Sequence, residues 1–305
     1  MLAFTLQRLV IAICVAITVS IVAFFLLHLS GDLAISIAGP DATAAQVEAI
    51  RQQFGLDQPL AIQYLHWLWR ALHFDFGNSF FFRTTVTSLI ESRIPVTLTL
   101  GAVALGLSLV VAVPLGVVAA VYNGTIIDRL ALGFSVLGQA VPAFCLGLAL
   151  IILFAVNLHW LPVSGAATWK NYVMPSIALG WYAIPAVMRL SRNGMLEVLS
   201  ADYIRTARAK GLSPAVVILK HALRNAIIPV VALAAVQFGF MLGGSIVIEA
   251  VFSMHGLGYL AWEAIARNDY PVVQAIVLIL AIIYVGLTFV SDVANAFLDP
   301  RIRLA

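Results

Sequence analysis

Two carboxylates, Glu249 and Asp292, lie within the long apolar runs of this sequence. Carboxylates inside a membrane-spanning run can relay protons and couple transport to an ion gradient. Each of these two lies near one end of its run, whereas proton-coupled pumps generally hold such groups deeper. The sequence therefore disfavours a secondary transporter, which stays open only as a remote alternative.

Motifs for enzymatic chemistry are absent from the sequence. It contains no HExxH zinc motif, no G-x-S-x-G nucleophile elbow, no Walker A loop and no GxGxxG fingerprint. Cys14 and Cys145 each lie in an apolar run, which is typical of small buried side chains. We expect no catalytic residue, no metal site and no cofactor in this chain, which disfavours an intramembrane enzyme. The sequence has no ATP site, which points to a separate protein as the energy source for anything that this chain moves.

The stretch Ala201–Pro229 could dock the protein that supplies this energy. It is polar and basic, and it separates two apolar runs, so it must face water. We predict a short helix over Tyr203–Lys210 that begins at a capping Ser200 or Asp202. Gly211 is expected to end this helix in the left-handed conformation.

A second helix is predicted over Ala215–Ile228. Small side chains at Ala207 and Ala209 would allow the first helix to insert into the cleft of a partner protein. A solvated basic loop that contacts lipid phosphates is the alternative interpretation of this segment.

The composition indicates an all-α membrane protein. Of the 305 residues, 62% are apolar and 10% are charged, whereas soluble domains carry about 25% charged residues. Each apolar run is long enough to cross a bilayer as a helix. The chain is therefore predicted to form one transmembrane domain over residues 1–305. Its predicted spans are 9–29, 97–121, 130–157, 173–195, 228–251 and 272–297.

The distribution of Lys and Arg predicts the orientation of these spans. With the N-terminus inside, 11 of the 17 basic residues lie on the inner side and 6 on the outer side. Both termini and the segment 196–228 are then cytoplasmic, and the segment 30–96 is an outer one with helices over Ala42–Phe54 and Leu60–Phe74. The excess of basic residues is therefore explained by the orientation of the spans and does not indicate a nucleic acid as a partner.

The residues of the cytoplasmic segment resemble the EAA loop of ABC importer permeases, in the form typical of the peptide/nickel family. The general pattern E-A-A-x3-G-x9-I-x-L-P is matched only at Ala207, Gly211 and Leu223. The version of the peptide subfamily, Y-I-R-T-A-R-A-K-G-L followed by H-A-L-R-N, is matched over Tyr203–Leu212 and His221–Asn225. The resemblance implies that coupling to the ATPases involves Tyr203, Arg205, Thr206, Ala207, Lys210, Gly211, His221, Leu223 and Asn225.

Other parts of the chain resemble the same family. Phe54–Phe80 is similar to its first outer loop, Val247–Glu249 to its fifth span, and Asp299–Arg303 to its C-terminal tail. His255 is a departure, because relatives often have proline there. The resemblance makes five residues of the outer side candidates for contact with a binding protein: His255, Gly256, Gly258, Asp269 and Tyr270.

The resemblance implies a six-helix permease of the type I ABC importer fold in the bacterial inner membrane. The implied partners are a homologous second permease, two cytoplasmic ABC ATPases, a periplasmic or lipid-anchored binding protein, and membrane lipid. ATP and Mg²⁺ would bind to the ATPases, and transport would proceed by alternating access.

The substrate expected from the resemblance is a short peptide, either a dipeptide, an oligopeptide or glutathione. Gln139, Asn157 and Gln237 are candidates for the path, and Glu249 is a candidate for the path or gate. Such neutral polar groups suit a solvated zwitterion, and the sequence shows no cluster of the nitrogen or sulfur ligands that nickel favours. A permease for nickel or a metal chelate remains the alternative within the same family.

Overall fold

Helices and connecting loops make up the described part of the protein, with one isolated β-bridge between Asn78 and Thr85. The computed structural model describes residues 2–29, 33–39, 42–53 and 55–298, so the tail motif at 299–303 lies outside the described residues. In chain order the helices are α1 (Leu2–Leu29), α2 (Leu33–Ala38), α3 (Ala44–Gln53), α4 (Leu60–Leu72), α5 (Val86–Val121), α6 (Ile126–Ala140), α7 (Ala143–Leu150), α8 (Trp169–Trp181), α9 (Ile184–Leu199), α10 (Asp202–Ala209), α11 (Pro214–Val216), α12 (Leu223–Ala226), α13 (Ile228–Val251), α14 (Leu257–Ala266) and α15 (Tyr270–Leu298).

Four of these helices, α1, α5, α13 and α15, are long and apolar enough to cross a membrane singly. Two further spans are bent pairs. Helix α6 meets α7 and its π-helical continuation Ile151–Asn157 at 95°, and α8 meets α9 at 60°. Pro142 precedes α7 and Pro185 lies in the first turn of α9, where the missing amide of proline interrupts a helix least. If each bent pair crosses once, the protein has six spans, over the six predicted runs.

Helix α5 is the centre of the bundle and packs against α8, α9 and α13. Two glycines allow its close approach to the bent pair. A Cβ atom at Gly116 would lie 2.6 Å from the carbonyl oxygen of Met188, and one at Gly180 would lie 2.5 Å from that of Ala104. Any side chain at either position would force these helices apart.

Only one glycine of the GxxxG pair in α13 contributes to close helix packing. Gly239 packs directly against the ring of Tyr284 in α15, whereas Gly243 faces open space. The spacing of the pair would permit another helix to approach closely at both glycines. In this structure a neighbouring helix does so only at Gly239.

The two ends of the bundle carry different polar elements. At one end, named here the α4 end, α4 lies beside α1, and the start of α5 packs with α14 and α15 around Val86 and Ile90. At the other end, named here the α10 end, α10 packs beside the last turn of α5 at Ala120. The helix predicted over Leu60–Phe74 is therefore α4, which ends two residues early at Leu72.

Candidate functional site

Helix α10 lies at the surface of the α10 end and is amphipathic. Ile204 and Ala207 are buried and pack with Met195, Val217 and Ala222. The side chains on its opposite face are exposed. They are Arg205, Thr206, Arg208 and Ala209, and Tyr203 is 43% exposed. The helix is therefore held to the bundle by two apolar side chains, and a basic surface remains available to a partner.

Two details of the predicted helix are corrected. The N-cap is Ala201, which makes no side-chain capping bond, so neither Ser200 nor Asp202 caps it. Ala207 lies on the inner face, so its interpretation as part of the docking face was wrong, and Ala209 is the small residue on the exposed face.

Gly211 ends the exposed helix in the left-handed conformation, as predicted. Its φ is +76°, and its backbone N–H donates to the carbonyl of Arg208 at 3.0 Å. A Cβ atom there would meet no atom within 4 Å. The requirement for glycine is therefore conformational and not steric.

The chain after Gly211 differs from the single helix predicted over Ala215–Ile228. It forms α11, then a π-helix over Val217–Ala222, then α12. The π-helix places Val217 and Ala222 against α10. Asn225 in α12 donates from Nδ2 to the hydroxyl of Tyr203 at 2.8 Å, a second link between the two halves of the segment. His221 and Leu223 are half-buried, and Lys210 is exposed.

At the α4 end, Glu249 lies at the centre of a buried cluster. Its side chain is fully buried, and Oε1 accepts hydrogen bonds from Thr97 at 2.7 Å and from Ser245 at 2.9 Å. Oε2 accepts the backbone N–H of Tyr259 at 2.8 Å. The hydroxyl of Thr97 in turn accepts the N–H of Leu257 at 2.8 Å. In this conformation Glu249 is a structural junction of α5, α13 and α14, and its role in the path or gate stays a prediction.

Gly256 and Gly258 belong to the same junction. A Cβ at Gly256 would lie 2.5 Å from the Thr97 hydroxyl, and one at Gly258 would lie 2.7 Å from the Cα of Ile246. Both glycines are buried. They let the loop approach the carboxylate and do not face a partner, which corrects their prediction as contact residues.

Asp269 is also buried, with 1% of its surface exposed. It accepts hydrogen bonds from the hydroxyl of Ser79 and from the backbone N–H groups of Phe80 and Phe81, at 3.3 and 3.2 Å for the two backbone groups. Asp269 thus ties the loop before α5 to α15, and its prediction as a contact residue is corrected. Of the remaining candidates on this side, His255 is exposed and Tyr270 is half-buried.

The predicted path residues lie on three separate elements. Gln139, in α6, is exposed and accepts from Arg189 at 3.5 Å. Asn157, at the end of the π-helix after α7, is also exposed, whereas Gln237 is buried in α13. Asp292 pairs with Arg8 at 3.3 Å, which joins α15 to α1.

An ion pair that the sequence did not reveal joins α6 to α9. Arg192 forms two parallel hydrogen bonds with Asp128, at 2.7 and 2.8 Å, and Asp128 is 5% exposed. The same guanidinium donates to Asn123 at 2.9 Å, and the N–H of Gly124 donates to Asp128 at 3.0 Å. The partners are 64 residues apart, so no local spacing could have indicated them.

Known proteins match this chain over its whole length. The family described as "Binding-protein-dependent transport system inner membrane component" matches residues 112–304, and its N-terminal companion family matches residues 1–101. The "Glutathione transport system permease protein GsiC" of Escherichia coli is 45% identical over 305 residues, and the protein of that name from Salmonella typhimurium is 43% identical over 304 residues. Each alignment covers 99% of both chains.

The chain belongs to the family of binding-protein-dependent transport permeases. It is a multi-pass inner-membrane component of an ABC importer, as the resemblance of its sequence implied. Among solved structures, the permease is similar to a chain of the inward-facing MetNI methionine ABC transporter. The TM-score is 0.58 at 22% identity, with 69% of this chain and 96% of that chain covered. The likeness shows that the permease has the type I fold.

Proposed function

We propose that the permease forms half of the translocation path for short peptides, glutathione included. The observation that carries this proposal is the 45% identity, over 99% of both chains, to a permease whose name specifies glutathione transport. A second, homologous permease subunit would supply the other half of the path. A periplasmic or lipid-anchored binding protein would deliver the substrate.

The energy would come from two cytoplasmic ABC ATPases, which bind ATP and Mg²⁺, while this chain holds no cofactor of its own. The exposed basic face of α10 is the proposed docking surface for one ATPase. Because Ile204 and Ala207 anchor α10 to the bundle, a movement of the docked ATPase would pass directly to α5 and α9. Alternating access then follows from the tilting of these spans.

The orientation that fits this proposal has both termini and the α10 end in the cytoplasm. The α4 end, with His255 exposed beside α14, would face the binding protein. In this orientation His255 and Tyr270 remain the candidates for contact, because Gly256, Gly258 and Asp269 are buried.

Uptake by the complete importer in proteoliposomes tests the substrate. Labelled glutathione, labelled di- to tetrapeptides and radioactive nickel, with and without chelators, are compared with ATP inside or absent. We expect ATP-dependent uptake of glutathione or of a peptide, and competition between them. Nickel uptake that no peptide competes with would overturn the peptide assignment and leave the family unchanged.

A further inference from the structure

An arginine without an acidic partner lies within the bent span formed by α8 and α9. Arg189 is half-buried in α9, and Gln139 of α6 is its one hydrogen-bond partner among the described residues, at 3.5 Å between Nη1 and Oε1. Arg192, one turn later in α9, is held twice by Asp128, at 2.7 and 2.8 Å. The charge of Arg192 is therefore compensated within the bundle, whereas that of Arg189 is not compensated by any described carboxylate.

Arg189 and Gln139 both lie well inside their spans. Arg189 precedes the end of α9 at Leu199 by 10 residues, and Gln139 follows the start of α6 at Ile126 by 13 residues. At the rise of an α-helix these separations are about 15 and 20 Å, and half of the hydrocarbon core is about 15 Å thick. A charge at such a depth is costly unless it is paired or faces a water-filled cavity.

The face of α9 that carries Arg189 differs from a lipid-facing surface. Ala186, Arg189 and Asn193 follow at i, i+3 and i+7, so they share one face of the helix. None of the three is buried, and Asn193 is exposed. Helix α1, by contrast, exposes apolar side chains such as Ile13 and Ile17. A face that presents a guanidinium and an amide does not suit hydrocarbon, so we infer that it borders a water-filled space.

Helix α6 brings a second polar group to this face. It crosses the first turn of α9 closely, because a Cβ atom at Gly138 would lie 3.1 Å from Cγ of Pro185. Gln139 is exposed, and its Oε1 atom accepts the hydrogen bond from Arg189, which leaves the Nε2 group to donate to a ligand. The two side chains together present N–H donors and one positive charge. A planar guanidinium binds a carboxylate through two parallel hydrogen bonds.

We propose that Arg189 and Gln139 form a carboxylate-binding subsite in the translocation path, which holds the C-terminal carboxylate of a transported peptide. This inference rests on the proposed function and adds the chemical group that this chain recognises. The contact of 3.5 Å between the two side chains is at the limit of a hydrogen bond, so a carboxylate can replace it at little cost. Since every peptide with a free C-terminus carries this group, the subsite accepts peptides as a class and repels a free metal cation.

Labelling of Ala186→Cys, one turn before Arg189, tests whether this space holds water and attracts anions. The complete importer, with Cys14 and Cys145 of this chain replaced by Ser, is treated with an anionic and a cationic methanethiosulfonate reagent of similar size. We expect the anionic reagent to modify this chain about 5- to 10-fold faster, the effect of one nearby unit charge of opposite sign for the two reagents. Arg189→Gln should abolish this preference, and Arg189→Lys should retain it. Arg129→Gln, at an exposed arginine near the start of α6, is the matched control and should also retain it.

Protection from labelling identifies the occupant. Glycylglycine should slow the modification of Ala186→Cys, whereas glycylglycinamide, which lacks the carboxylate, should not. Arg189→Gln should remove this protection and lower ATP-driven peptide uptake about 10-fold, the value of one hydrogen bond to a charged group. Arg189→Lys should restore part of the uptake, which a loss of packing would not allow.

Three results would overturn the proposal. A reporter cysteine that neither reagent modifies would show that lipid or the second permease covers this face. Equal rates for the two reagents would exclude an anion site, and equal protection by glycylglycine and glycylglycinamide would exclude the carboxylate as the recognised group. The reagent preference does not depend on which substrate is taken up, so it holds or fails separately from the uptake test of the proposed function.

Discussion

The Glu249 side chain accepts a hydrogen bond from the backbone N–H of Tyr259 across 2.8 Å, so a buried carboxyl group lies at the first turn of α14. The backbone N–H groups of a first helical turn have no partner within the helix, and the carboxyl oxygen satisfies one of them. The other oxygen of Glu249 accepts hydroxyl groups from α5 and α13. One side chain therefore fixes three helices relative to one another at the α4 end.

Replacing Glu249 is expected to destabilise the permease and reduce uptake. In Glu249→Ala, the N–H of Tyr259 and the hydroxyl of Thr97 lose their acceptor, at a cost of about 1–3 kcal/mol for each buried group left unpaired. The hydroxyl of Ser245 can still donate to the carbonyl of Leu242 at 2.9 Å. The melting temperature in detergent and ATP-driven uptake at matched protein level measure the effect. Glu197→Gln, on an exposed glutamate of α9, is the control. Normal melting and uptake in Glu249→Ala would contradict this assignment.

The fold could be predicted from the sequence where one physical rule dominates. Apolar runs that are long enough to cross a bilayer can hardly form anything except helices. A glycine at the end of a short basic helix, as at Gly211, predicts a left-handed cap. The junctions could not be predicted, because they join residues 152 positions apart at Thr97 and Glu249 and 64 apart at Asp128 and Arg192. The family resemblance placed Gly256 and Gly258 on an outer contact surface. In the structure these residues are glycines because a side chain at either position would collide with the surroundings of Glu249.

The conformation of Gly211 can be tested without steric interference, because a Cβ atom there meets nothing within 4 Å. Gly211→Val forces a β-branched residue to a φ of +76°, and an ordinary L-residue in this conformation costs about 1–2 kcal/mol. Gly211→Asn should be tolerated better, since Asn visits this region most readily after Gly. We expect substrate-stimulated ATPase activity of the assembled complex to fall in the order Gly, Asn, Val. Equal activity in all three would exclude a role for this cap in coupling.

Two alanines of α10 provide a matched pair for the docking surface. Ala207 is 6% exposed and lies in the core, whereas Ala209 is exposed. Ala207→Leu should overpack the core at a cost of about 1–3 kcal/mol and lower the melting temperature of the isolated permease. Ala209→Leu should leave that temperature unchanged and weaken binding of the ATPase subunits in a pull-down. Full ATPase binding by Ala209→Leu would argue against docking through this face.

We expect substitutions of Asp128 and Arg192 to have non-additive effects on the melting temperature. Arg192→Met leaves a buried carboxylate without its cation, whereas the double variant with Asp128→Asn removes both charges together. We expect the single variant to lower the melting temperature more than the double variant does, and to reduce uptake. A double-mutant cycle on the melting temperatures measures the coupling. Strictly additive effects would show that the pair contributes little to holding α6 against α9.

The orientation of the permease can be tested by labelling single cysteines at the two ends of the bundle. Ser213 follows α10 and Asp57 precedes α4, and both are exposed. The native thiols Cys14 and Cys145 are exposed, which corrects their interpretation as buried side chains, and they are first replaced by Ser. We expect a membrane-impermeant maleimide to label Asp57→Cys in intact spheroplasts and Ser213→Cys only after the membrane is opened, since basic residues concentrate at the α10 end. Labelling of Ser213→Cys in intact spheroplasts would place α10 outside, where no cytoplasmic ATPase could reach it, and would overturn the docking proposal together with the orientation.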